Sequence, residues 1–107
     1  MSGDRHERLF AVELRHGPEW IPERGTREQP LWDEHAEFMD GLLDRGTIVL
    51  GGPLDDEPGT LLIMRVPDEA TARELLAVDP WSSGGRDILR VDRVRPWTIY
   101  LDSRQSR

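Results

Sequence analysis

A histidine stands at position 35 in the stretch DEHAEFMDGLLDRG (residues 33–46), where an amphipathic helix calls for an apolar side chain. At about 100° per residue, Leu31, Phe38, Met39, Leu42 and Leu43 make one arc with His35 near its centre, and Asp33, Glu37, Asp40 and Asp44 make the opposite arc. A helix buries its apolar arc, so the imidazole is expected to be desolvated and to need a hydrogen-bond partner. Two readings are open: a core histidine bonded to a backbone carbonyl, or an acid–base group on a pocket wall, imidazole being the side chain that exchanges a proton near neutral pH. The other candidate is Asp79, in the step Asp79-Pro80-Trp81. Asp-Pro is also an ordinary capping pair, whose carboxylate accepts the backbone N–H groups that follow it.

Other residues suggest less. Ser82 and Ser83 follow Trp81, but no nucleophile-elbow pattern surrounds them; Ser82 stays a candidate for contacting a ligand. Gly51-Gly52-Pro53 lacks the ending of a phosphate loop and no helix follows it, so a close backbone approach is expected there, with Gly52 the ligand-side candidate. Trp32 and Trp81 flank the two acid–base candidates in sequence, as pocket walls or as core. His6, His16 and His35 show no ligand-like spacing and the chain has no cysteine, so no metal site is expected.

Composition narrows the partners. With 14 arginines and no lysine against 21 acidic residues, the net charge is −7, and no basic stripe forms, so nucleic acid is not an expected partner. No stretch approaches the roughly 20 apolar residues of a membrane span, and the charged N-terminus lacks an export signal. A cytoplasmic, soluble protein is the expectation. The length suits one domain over residues 1–107, with residues 1–7 and 103–107 as loose ends.

The elements that must position these side chains follow from periodicity and breakers. RLFAVELRH (8–16) reads as a strand ending at Gly17-Pro18, followed by a long loop carrying Trp20, which suits either a lid or a subunit interface. A helix is expected from about Pro30 to Gly46, the latter suited to a left-handed C′ position; Thr26-Arg27-Glu28-Gln29 also matches a capping box, but a start there would put Pro30 inside the helix. Strands at 47–54 and 60–66, a helix from an Asp68 N-cap to about Val78, and a strand at 87–101 broken by Pro96 complete the chain. The order β-α-β-β-α-β predicts an α+β, ferredoxin-like fold with an antiparallel four-stranded sheet. Strand one alternates Phe10, Val12 and Leu14 with Leu9 and Ala11, so both faces are apolar. Two helices cover only one face, so a homodimer is expected to cover the other.

LFAVEL, the helix histidine, LLDRGTIVLGGPLDDEPGTLLIMRV, EATARELLAVDPW and VRPWTIY, in this order, resemble the YCII-related family over nearly the whole chain. The resemblance implies a ferredoxin-like fold paired as a dimeric α/β barrel, and a cleft lined by a histidine–aspartate dyad that falls on His35 and Asp79. It implies a small-molecule ligand, with Trp32, Gly52, Trp81 and Ser82 as candidate contacts. The family's best-defined activity resembles dehydrochlorination of a chlorinated hydroxyquinol. The expected function is therefore cofactor-independent acid–base chemistry of a lyase or isomerase type on a small cyclic or phenolic compound; the alternative is a non-catalytic binding module on the same fold. Many relatives have an arginine one turn before the histidine where this chain has Trp32, which removes the expected anion contact.

Overall fold

The alternating runs form one antiparallel sheet in the computed structural model of the protein, which describes residues 7–56 and 58–104. Strand β1 (Glu7–His16) is followed by a 3₁₀ turn (Thr26–Glu28), α1 (Trp32–Asp44), β2 (Ile48–Pro53), β3 (Thr60–Met64), α2 (Glu69–Leu76) and β4 (Leu89–Ile99). The sheet order is β2-β3-β1-β4, the ferredoxin-like arrangement that the element order predicts. Pro96 sits in β4, an edge strand, where a missing N–H leaves no neighbouring strand unpaired. Of the expected loose ends, residues 1–6 and 105–107 lie outside the described residues, while Glu7 already belongs to β1.

Phe10, Val12 and Leu14 of β1, Ile48, Leu62, Met64 and Val94 turn to the helices, where Leu42 of α1, Ala72 and Leu76 of α2, and Trp81 meet them. The register of β2 against β3 shifts between Ile48 and Leu50. That bulge sets Leu50 opposite Ile63 and Gly51 opposite Leu62, so Gly51 faces the helices and Leu50 the far side. The far face carries the second apolar set of the strands. Leu9 and Ile63 are already buried within the chain, and the exposed apolar side chains there are Leu50 (53%) and Trp97 (48%).

Helix α1 begins two residues later than Pro30 suggests. Gln29 is extended (φ −70°, ψ 151°), as a residue before proline prefers, and Leu31 takes a left-handed conformation (φ 62°) that costs a non-glycine residue about 1–2 kcal/mol. The turn at Leu31 aims the Pro30 carbonyl at the indole of Trp81. The C-terminal end is as expected: Gly46 has φ 77°, and the N–H groups of Gly46 and Thr47 close on the carbonyls of Leu43 and Leu42. Asp68 caps α2 by accepting the Thr71 N–H at 2.8 Å. No helix among the described residues is long and apolar enough to cross a membrane.

Leu42 is the fully buried contact of α1 with the sheet. Leu42→Ala is expected to cost about 2–5 kcal/mol in urea unfolding, with the fold retained. A loss below about 1 kcal/mol would contradict this docking of α1.

Candidate functional site

His35 and Asp79 are 44 residues apart in sequence and bonded in space: His35 Nδ1 lies 2.9 Å from each Asp79 carboxylate oxygen. Both are buried, His35 to 7% and Asp79 to 2% exposure. Oδ1 of Asp79 also accepts the backbone N–H of Trp81 at 3.0 Å, so the carboxylate takes up the capping role of an Asp-Pro step and the imidazole together. A carboxylate only accepts, which places a proton on Nδ1 and leaves Nε2 as the exchanging nitrogen. Among the described residues, Nε2 has no hydrogen-bond partner.

Tryptophans hold this imidazole in place. Trp81 is fully buried and stacks on His35, with ring centroids 3.7 Å apart and planes 6° from parallel. Its indole N–H donates to the Pro30 carbonyl at 2.7 Å, which ties the turn after α2 to the entry of α1. Trp32, in the first turn of α1, lies 5.8 Å from His35 and 5.9 Å from Trp81. Trp20 meets Trp81 edge-on at 5.7 Å, and its own face stacks on His16 at 3.6 Å and 9°.

The loop carrying Trp20 is held by one amide. The buried Gln29 accepts the Ile21 N–H at 2.9 Å and donates to the carbonyls of Ile21 and Arg24 at 2.9 and 3.1 Å. The capping-box match resolves into the short 3₁₀ turn, in which Glu28 accepts the Gly25 N–H at 2.6 Å. Pro30 then ends it, since its ring prevents continuation.

These elements line a half-open cavity of about 440 Å³. His35 and Trp32 of α1 line it with Trp81 and Trp20; His16 closes it from β1, and Gly51 to Pro53 form the β2 side. His35 and both expected tryptophan walls therefore meet on the lining, with Asp79 behind His35 and off it, and Gly52 is on the lining. The close backbone approach belongs to Gly51 instead: a Cβ there would fall 2.5 Å from a methyl carbon of Leu62, whereas one at Gly52 meets nothing within 4 Å. Ser82 is not on the lining; its hydroxyl donates to the Leu89 carbonyl at 2.5 Å and braces the turn. Met39 and Leu43, placed in the core by the helical wheel, line the cavity, and Leu43 is 49% exposed.

A model of the YCII-related domain matches residues 9–98. The chain belongs to the YCII-related family. The matched span holds every described helix, His35, Asp79 and all four tryptophans. A comparison with curated proteins yields no match.

In this YCII-related protein, sequence reasoning passed over three residues of the site. His16 continues the alternation of Phe10, Val12 and Leu14 and so faces the helices, a signal that was present in the strand's period. Arg27, on the 3₁₀ turn, is on the lining, and Gln29 holds the loop; neither has a local signature. No group of three or more His, Cys, Asp or Glu side chains fit to hold a metal ion occurs among the described residues.

Burial lowers the His16 pKa below its ordinary 6.5, because desolvation penalises the imidazolium. Between the folded value and 6.5 the unfolded chain binds more protons, so this contribution makes stability fall as pH drops through that window. Between about pH 7 and pH 5 the wild type is expected to lose more unfolding free energy than His16→Phe; equal losses in urea titrations would refute this. Asp79→Ala strands a buried imidazole and the Trp81 N–H, and is expected to cost about 3–5 kcal/mol in the same assay.

Proposed function

We propose that this protein is a cofactor-independent acid–base enzyme of a lyase or isomerase type, acting on a small cyclic or phenolic compound with His35 as the proton-transferring group. The observation that carries the reading is the bond from His35 Nδ1 to the Asp79 carboxylate at 2.9 Å, on the wall of a 440 Å³ cavity. Asp79 orients the ring and fixes its tautomer, and the parallel face of Trp81 prevents it from tilting. Nε2 then takes a proton from a ligand atom next to a leaving group. The released electron pair forms a double bond as the leaving group departs with its own pair; return of the proton elsewhere gives isomerisation instead. The indole of Trp32 suits a planar ring, and the walls of the half-open cavity are mostly apolar.

Two copies of the chain are proposed to pair through the far face of the sheet, where Leu50 and Trp97 are half exposed. Light scattering at micromolar concentration is expected to give twice the chain mass, and a monomer would refute the pairing.

The activity is tested with a panel of substituted hydroquinones and lactones, incubated with wild type and His35→Ala. Turnover of at least one compound is expected, falling about 10²- to 10⁴-fold in the variant. Unchanged turnover in the variant overturns the assignment, and saturable binding without turnover of any compound assigns the cavity to a binding module.

A further inference from the structure

We infer that His16 is a second proton-transferring group of this cavity, facing the ligand from β1 while His35 faces it from α1. The inference rests on the proposed acid–base function and names a residue that this function does not use. His16 is the last residue of β1, on the helix-facing side of the strand and on the cavity lining. Its ring lies flat against Trp20 at 3.6 Å, so its position is set by a wall of the cavity rather than by solvent. Among the described residues, neither ring nitrogen has a hydrogen-bond partner. The ring is half-buried but its nitrogens are not sealed, so on the cavity lining its donor and acceptor stay open to a ligand.

The two imidazoles stand in unlike settings. His35 has a carboxylate on Nδ1, whereas His16 has an indole face and no carboxylate partner. The titratable groups that line the cavity with them are Arg27 of the 3₁₀ turn and Asp40 of α1; Asp79 stands behind His35, and the lining residues of β2 and β3 contribute none. Desolvation without a counter-charge keeps His16 neutral near pH 7 and so able to accept a proton. An imidazole held by a carboxylate and one without such a partner present the ligand with two proton-transferring groups from opposite sides. His16 takes the proton of a ligand hydroxyl and becomes imidazolium, and the freed electron pair moves into the ligand ring. At the return step of the isomerisation, His35 carries on Nε2 the proton it has taken from the ligand, delivers it to a ring carbon and becomes neutral. One proton leaves the ligand and one enters it, so charge balances; exchange with water resets both rings.

The test uses protein labelled with ¹⁵N in histidine and 4-nitrophenol as the probe, with ring-nitrogen signals assigned through His16→Phe and His35→Phe spectra. At about pH 7 the ring-nitrogen signals of both His16 and His35 are expected to move along one saturation curve as 4-nitrophenol is added. His16→Phe keeps a ring against Trp20 but removes both nitrogens; its affinity for the probe is expected to fall about tenfold, and its binding curve against pH to lose one inflection. His16 signals that stay fixed while those of His35 move overturn the inference and leave the proposed function standing. Wild-type affinity and pH dependence in His16→Phe also overturn it, since His16 is then only a wall. Movement of His16 alone supports His16 as a ligand-facing group and refutes the role given to His35; movement of neither overturns both.

Discussion

A carboxylate buried to 2% exposure must be fully paired, and much of this molecule's site is a consequence of pairing Asp79. Its oxygens take the His35 Nδ1–H and the Trp81 backbone N–H, so the helix that carries one donor and the turn that carries the other are locked together. Trp81 follows Asp79 by two residues, and its indole is therefore laid across the imidazole that Asp79 holds. A buried indole N–H needs an acceptor in turn, and the Pro30 carbonyl supplies it. The left-handed Leu31 that aims this carbonyl is strained, and the strain is offset by bonds that would otherwise be unmade.

The cavity exists because two places that could have filled it do not. Gly51 brings no side chain to the β2 side, and the bulge before it turns the bulky Leu50 away. On the other side the loop from Gly17 to Gln29 stays closed on itself, its carbonyls and an N–H gathered by one glutamine amide, so Trp20 stands as a wall instead of collapsing into the space. The walls are mostly aromatic and aliphatic, which lowers the local dielectric and strengthens the few polar contacts there. Two imidazoles under these conditions, one with a carboxylate and one without, are chemically unequal although their side chains are identical.

Legibility varied with the range of the interaction. The strand and helix spans were readable because period-two and period-3.6 patterns repeat along the chain, and Gly46 and Asp68 have local capping roles that their residue types announce. The start of α1 lies two residues beyond Pro30, although Pro30 fits a first helical turn equally well; the competing demand, an acceptor for Trp81, comes from 51 residues away. Leu43 and Met39 matched the apolar arc, yet the arc is wider than the sheet surface available to α1, and these two face the cavity. Ser82 has a plausible residue type close to Asp79 in sequence, but its hydroxyl bonds the Leu89 carbonyl.

By itself the sequence determined the ferredoxin-like order of elements and marked a histidine on an apolar helix face and an aspartate before Pro80, together with the resemblance that made them a pair. Only the tertiary structure decided that the two share a bond, that His16 meets His35 on one cavity, and that Gln29 holds the loop that walls it. Backbone periodicity is a property of neighbouring residues and is written in the order of side chains. A hydrogen bond across 44 residues, or a stack between β1 and a loop, depends on where the packed core sets each element.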